Sequence, residues 1–277
     1  MDLLEQLART REKAVALDDP FRRRVFEALP AGGLEGRTRA MLKVEDGCTN
    51  FCAYCIIPYA RGAVRSLPVE QAAAQARDLA EAGYRELVLT GIELSAYGRD
   101  LPERPGLAAL IAQVCRAVPG MRVRLGSLEP RTVTEDFCAQ LAGLPNLCPH
   151  FHLSLQSGCD ATLARMKRRY TTERYLESVE LLRRHFDRPA LTTDLIVGFP
   201  GRRRGVCPDA VLSPDLRLCP DAHFPLLPPA GHPGRRDARA DSQRGKGPPG
   251  PSGGGTGPGH GEKLAEQLDG TAGRCPV

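Results

Sequence analysis

Apolar residues recur in residues 2–16 at Leu3, Leu4, Leu7 and Val15, with Arg and Glu between them, the spacing of one helix face. Residues 17–38 lose that pattern; Pro20, Pro30 and the Gly32-Gly33 pair break it, and the stretch reads as a connector. Beyond it two periods alternate. Short apolar runs predict strands at Ala40–Glu45, Glu86–Thr90, Arg122–Leu125, Phe151–Leu155 and Leu191–Val197. Longer stretches with helical spacing predict helices at Val69–Ala82, Leu107–Ala117, Thr134–Leu141 and Thr172–His185. Gly83, Gly106, Pro119-Gly120 and Pro189 separate the elements. Repeated strand–helix units imply a parallel sheet with right-handed crossovers, so the expected fold is α/β, either a barrel or an open doubly wound sheet.

The alternation stops near residue 202. Residues 202–277 contain 12 of the 24 Pro and 14 of the 29 Gly, with no collagen-like period, and Phe224 is their only aromatic residue. A segment so composed cannot bury a core, and disorder is expected. In the rest, hydrophobic residues at 42% of the whole chain and charged residues at 26% fit a globular body. A net charge of +5 permits a nucleic-acid partner without requiring one. No apolar run reaches the roughly 18 residues of a membrane span, and Met1 to Glu12 lacks the apolar core of a signal peptide. A cytoplasmic chain is expected, and there ten cysteines point to metal or redox chemistry if they cluster.

Three of them do. Cys48, Cys52 and Cys55 form C-x3-C-x2-C directly after the first expected strand. Three thiolates on one tight loop can hold three irons of a [4Fe–4S] cluster and leave the fourth open to another ligand. A structural zinc site is the alternative, but zinc sites use four ligands in paired spacing, and no second pair follows. Cys115, Cys138, Cys148 and Cys159 stand singly, as small buried hydrophobes do.

The residues after the triad narrow the reading. Cys55-Ile56-Ile57-Pro58-Tyr59-Ala60-Arg61-Gly62-Ala63-Val64-Arg65-Ser66 resembles the radical S-adenosylmethionine (SAM) methylthiotransferases, most of all the branch acting on threonylcarbamoyladenosine in tRNA. Sister branches act on isopentenyladenosine in tRNA or on a ribosomal-protein aspartate. Thr90-Gly91-Ile92-Glu93 with Tyr97-Gly98-Arg99-Asp100, Arg124 to Pro130, His152 to Gly158, Arg165 to Thr171 and Asp194 to Gly201 match further motifs of the family. Each lies at the C-terminal end of an expected strand, where barrel enzymes place their chemistry.

The resemblance implies a partial radical-SAM (βα) barrel of about five parallel strands followed by the disordered tail. It implies a [4Fe–4S] cluster on Cys48, Cys52 and Cys55, and SAM beside Tyr54, Gly91, Glu93, Ser127, Glu129, Gln156 and Arg168. Its expected partners are tRNA and an electron donor such as flavodoxin or ferredoxin. Plainer readings stand beside these: Gly91 as a turn residue, Tyr54 as a packing wall, His152 as an inward, satisfied histidine, Arg168 and Arg169 as a solvated face.

On this resemblance residues 1–38 correspond to a helix and linker left from an N-terminal auxiliary-cluster domain, 39–201 to the core, and 202–277 to none of the family's sequence. The family continues there with an acidic helix, a sixth strand and a small RNA-binding barrel. A one-base change of reading frame lets Ala222 to Pro229 encode His-Ile-Phe-Pro-Tyr-Ser-Pro-Arg, Gly231 to Gly234 encode Gly-Thr-Pro-Ala, and Val206 to Ala210 encode Phe-Ala-Gln-Thr-Leu, strings similar to the family's. The expectation is an out-of-frame tail on an incomplete enzyme inactive in methylthiolation. A genuine disordered linker or RNA-binding tail, a non-catalytic truncated product and a zinc module are the competing readings.

Overall fold

The computed structural model describes residues 18–28, 37–200 and 219–225. The helix expected over residues 2–16 lies outside them, as does the tail apart from 219–225. The chain enters through a 3-10 turn, Pro20–Arg22, capped by the Asp19 carboxylate on the Phe21 N–H at 2.9 Å. Strand β1 (Arg39–Lys43) then hands over at Val44 to a two-residue strand β2 (Glu45–Asp46), which pairs antiparallel with β3 (Arg65–Ser66). The one strand expected over Ala40–Glu45 is thus two. Val44 donates to Thr90 O at 2.9 Å and accepts from Leu67 N–H at 2.8 Å, so its two backbone groups face different neighbours.

Five more strands follow: β4 (Glu86–Thr90), β5 (Arg122–Leu125), β6 (His150–His152), β7 (Ala190–Val197) and β8 (Cys219–Pro225). β1, β4 and β5 pair in parallel, as do β6, β7 and β8. Parallel bridges Val123–Leu147 and Leu128–Leu153 join the two sets through the segments flanking β5 and β6. Six parallel strands therefore run in sequence order, with β1 and β8 as the edges among the described strands. This is the α/β run of parallel strands expected for a partial (βα) barrel, with one strand more than the pattern gave. Residues 219–225 are extended against β7, a strand the sequence pattern did not give. The outer edge of β7 carries a row of N–H and C=O groups that a parallel strand satisfies, and Pro220 and Pro225 are tolerated because β8 is itself an edge.

The helices are α1 (Ile57–Arg61), α2 (Val69–Glu81), α3 (Leu107–Ala117), α4 (Glu135–Leu141), α5 (Asp160–Arg165) and α6 (Thr172–His185). α2 buries Ala72, Ala73, Ala76 and Leu79, a stripe of small residues at helical spacing. Thr134 and Thr171 precede α4 and α6 as caps, accepting from Phe137 N–H and Arg174 N–H at 3.2 Å each. That places Thr134 just outside the helix it was expected to begin. α1 and α5 are too short to show a period in the sequence. Leu42, Leu87, Leu89, Val123, Leu125, Phe151 and Leu153 fill the core, and Phe151 packs on Phe186 at 4.8 Å between ring centres.

Candidate functional site

Residues 47–64 leave the sheet as one excursion, closed at its base by the β2–β3 ladder, Glu45 opposite Ser66 and Asp46 opposite Arg65. Two glycines let the chain close. A Cβ at Gly47, φ +89°, would fall 2.0 Å from Ala63 O, and one at Gly62, φ +78°, 2.0 Å from Pro20 O. Cys48 N–H donates to Gly62 O at 3.0 Å across the same neck. Beneath it the buried Asp46 meets Lys43 at 2.9 Å and the buried Arg65 at 3.3 Å. Burial alone would raise the Asp46 carboxyl; the Lys43 hydrogen bond and the charges of Lys43, Arg65 and Arg61 outweigh it and hold the group below its usual value.

A second clamp comes from the segment after β4. Asp100 accepts from Ser66 N–H at 2.9 Å and Ser66 Oγ at 2.7 Å, while Gly98 N–H donates to Ser66 Oγ at 2.8 Å. The Tyr97 hydroxyl donates to Leu67 O at 2.6 Å. The Tyr97-Gly98-Arg99-Asp100 motif therefore grips β3 and, through it, the base of the cysteine loop.

The three thiols sit half-buried on that loop, with Cys55 N–H turning back to Cys52 O at 3.0 Å. Asn50 N–H donates to Cys48 Sγ at 3.4 Å, and Arg168 Nη1 donates to Cys52 Sγ at 3.3 Å. Burial pushes the Cys48 thiol up to about 11, with the charges of Glu93, Cys52 and Cys55 adding to it against the Asn50 N–H. Burial raises Cys55 too, again with Cys52. Cys48 and Cys55 thus resist ionisation, and nearby cationic charge favours their thiolates. Among the described residues no three Cys, His, Asp or Glu groups converge as a single metal ion requires. A cluster asks for a different arrangement, one thiolate on each of three irons, and half-buried thiols already taking N–H donors on one loop suit it.

Acidic and basic groups face this loop from three strands. Glu93 Oε2 accepts from Asn50 Nδ2 at 2.9 Å, and Oε1 accepts from Ser95 N–H at 3.3 Å. Burial raises the Glu93 carboxyl, and the Glu129 charge adds to that rise. Glu129 is buried, bound by Arg131 at 2.8 Å, and its N–H donates to Ser95 Oγ at 3.0 Å. Arg168 bonds Tyr170 Oη at 3.2 Å, and its guanidinium lies 4.9 Å from that ring's centre. Tyr170 Oη in turn donates to Ser154 O at 2.5 Å, and Ala53 N–H bonds Met166 O at 3.0 Å, tying the segment after α5 to the cysteine loop. Burial opposes the charge on Arg168, but the guanidinium stays protonated beside Tyr170 and Cys52. The Tyr54 ring stands edge-on to Phe199 at 6.3 Å, and burial raises its hydroxyl.

Of the residues expected here, Cys48, Cys52, Cys55, Tyr54, Glu93, Glu129 and Arg168 come together through these contacts. Arg168 faces sulfur, while its neighbour Arg169 is exposed. Gly91 lies beside them against Glu45, and Ser127 is exposed at the end of β5. Gln156 sits at φ +64°, its N–H bonded to Asp194 O at 3.0 Å and its C=O accepting from Ile196 N–H at 2.9 Å. His152 Nε2 stands 3.5 Å from Asp194 Oδ1. Cys115, Cys138 and Cys148 are buried away from the loop. The sequence reading passed over Glu45, Asn50, Ser95 and Tyr170; the first two flank the cysteines, which was the available signal.

The sequence profile of the Radical SAM superfamily matches residues 42–204. The chain belongs to that superfamily. Among relatives, this radical SAM chain is 37% identical over 199 residues to threonylcarbamoyladenosine tRNA methylthiotransferase MtaB of Bacillus subtilis, covering 72% of the chain and 44% of the relative. It is 40% identical over 200 residues to MtaB of Chlamydia pneumoniae, covering 72% and 45%. It is 40% identical over 177 residues to tRNA-2-methylthio-N(6)-dimethylallyladenosine synthase of Carboxydothermus hydrogenoformans, covering 64% and 40%. The chain thus spans less than half the length of these relatives. The radical SAM methyltransferase TsrM of Kitasatospora setae superposes with a TM-score of 0.50 at 16% identity, over 59% of this chain and 31% of TsrM, a likeness of fold. Among the described residues no helix is long and apolar enough to cross a membrane.

Proposed function

We propose that this radical SAM chain carries the cofactor-binding core of a cytoplasmic tRNA methylthiotransferase acting on threonylcarbamoyladenosine. The observation that carries the proposal is the gathering of three thiols, two carboxylates and one guanidinium at the C-terminal ends of β2, β4, β5 and the segment after β6, in a chain 37–41% identical to MtaB enzymes. Cys48, Cys52 and Cys55 would hold a [4Fe–4S] cluster. A cluster held by these three thiolates would supply the electron for reductive cleavage of SAM.

The chain's own residues do the rest by binding and electrostatics. The Glu93 and Glu129 carboxylates offer acceptors to the amino group of SAM, and each is already oriented by an N–H or guanidinium donor. Arg168 places a fixed positive charge beside Cys52, which lowers the cost of gathering thiolates. Tyr54 with Phe199 forms an aromatic wall suited to the adenine ring. Gly91, Ser127 and Gln156 complete the lining. A small electron-transfer protein such as flavodoxin or ferredoxin supplies the reducing equivalent.

The near-equal identity to the dimethylallyladenosine enzyme favours one second reading, the isopentenyladenosine branch. Anaerobic reconstitution of the full chain with iron and sulfide, followed by reduction with SAM and each tRNA, separates the possibilities. The expected results are a brown protein, release of 5′-deoxyadenosine, and any methylthio product on threonylcarbamoyladenosine tRNA. Product only on isopentenyladenosine tRNA moves the chain to the sister branch. Bound zinc and no uptake of iron sinks the proposal.

A further inference from the structure

Glu45 is the one carboxylate of this region whose setting the cofactor reading leaves unexplained. Its relative exposure is 0%, and it lies on β2, three residues before Cys48. Oε2 accepts from Glu93 N–H at 2.7 Å. Oε1 is buried with no hydrogen-bond partner among the described residues. Gly91 packs onto the same carboxyl: a Cβ there would fall 2.8 Å from Glu45 Oε2 and 3.0 Å from Glu45 Cβ. The turn from Gly91 to Glu93 therefore packs on the Glu45 side chain, and a Cβ at 91 would push that carboxyl aside.

We propose that Glu45 is a positioning residue: it fixes the Gly91–Glu93 turn through the Glu93 N–H and so aims the Glu93 carboxylate at the cysteine loop, setting the affinity for SAM. The inference rests on the cofactor reading only for what the turn serves. Glu93 shares its side chain between Asn50 of the loop and Ser95 of its own segment, so its backbone must be held from behind for both bonds to persist. No other acceptor on Glu93 N–H is seen among the described residues. Burial, which outweighs the Glu93 N–H bond, pushes the Glu45 carboxyl up to about 8 with the help of the Glu93 and Asp46 charges. A neutral acid in that slot has the shape and acceptor of glutamine, so the role can be transferred to an amide.

The test uses the full chain and the variants Glu45→Ala, Glu45→Gln and Gly91→Ala. Hydrogen exchange at the Glu93 amide, read without cofactor, is expected to speed up by about tenfold or more in Glu45→Ala, the scale of one lost buried hydrogen bond. It should stay near parental in Glu45→Gln. Gly91→Ala should repeat the Glu45→Ala effect, and the double variant should exchange no faster than either single one. After reconstitution, Glu45→Ala should hold parental iron yet bind SAM roughly tenfold more weakly. Parental exchange in a folded Glu45→Ala chain overturns the proposal, as does a Glu45→Gln chain as fast as Glu45→Ala. Loss of iron alongside SAM overturns it too, because Glu45 would then hold the cysteine loop and not the turn. A parental chain that takes up iron but no SAM defeats the cofactor reading, while the exchange measurement still decides whether Glu45 sets the turn.

Discussion

Two glutamates, one at the N-terminal start of β4 and one on β2 just past the C-terminal end of β1, show how differently the two ends of the parallel sheet are built. Glu86 begins β4, flanked in register by Arg39 of β1 and Arg122 of β5, with Arg124 two residues on. The three guanidinium groups reach it at 2.7, 3.4 and 2.9 Å, and the Arg124 hydrogen bond, backed by all three charges, holds its carboxyl low. Glu45, at the C-terminal end, has one backbone N–H bond, an unpartnered oxygen and two acidic neighbours, and its carboxyl is pushed up. The carboxylate at the N-terminal end is fully paired, as at a stabilising surface. The C-terminal end concentrates unbalanced groups, the usual signature of a working site.

The sharpest way to break this contrast is to remove the sulfurs. Cys48→Ser, Cys52→Ser or Cys55→Ser should each bring iron uptake and 5′-deoxyadenosine release down to background, because a hydroxyl does not replace a thiolate on iron. Iron analysis and product chromatography read this directly. A serine variant that retains parental iron and turnover removes the C-terminal end from consideration.

The pH dependence of stability is the next largest effect, and its sign differs between the two glutamates. Folded Glu45 keeps its proton to about pH 8, whereas in the unfolded chain it loses it near 4.5. The folded state thus binds more protons between those values, and its contribution falls as pH rises through that window, levelling off above it. The full difference is on the order of 5 kcal/mol. For Glu86 the folded value lies below 4.5, so its contribution is complete above that pH and is lost on acidification. Denaturant midpoints of the parent and Glu45→Gln from pH 5 to 9 isolate the first term. Parallel curves would remove the case for a neutral Glu45.

A smaller effect is expected at the clamp on β3. Asp100→Ala removes both acceptors from Ser66, at a cost of about 1–3 kcal/mol if the backbone N–H is left unpaired. The cysteine loop should then open more often, and reconstituted cluster should bleach several-fold faster in air at unchanged initial iron content. Equal bleaching rates would mean that the ladder closes without Asp100.

Much of this was legible from the chain alone, and the physics of the exceptions is consistent. β4 and β5 were found at their ends because a buried parallel strand is a short apolar run, a local property. The cysteine triad was found because its spacing is local too. Arg168 on Cys52 spans 116 residues, and Glu45 beneath Gly91 spans 46, so no window of sequence contains either pair. The strand at Cys219–Pro225 escaped because composition averages over a whole tail, while a sheet edge acts on seven residues. Glu45 was taken as a strand end for want of any sign that its carboxyl would turn inward.

The smallest predicted effect tests the other side of the contrast. Glu86→Gln keeps the shape of the side chain and removes its charge from among Arg39, Arg122 and Arg124. Arg39 and Arg122 are mostly exposed and regain water, so their share of the loss is small. Arg124 is 20% exposed, so its 2.9 Å bond is the least screened by water, which makes it the main contributor. The expected cost is about 1 kcal/mol at neutral pH, shrinking as pH falls toward the range where Glu86 itself would be protonated. Iron content, SAM binding and Glu93 amide exchange should stay at parental values, because nothing joins Glu86 to the cysteine loop except the length of β4. A Glu86→Gln chain that loses cofactor without losing stability would mean that the two ends of this sheet are not separate devices, and the division of labour drawn between them would have to be abandoned.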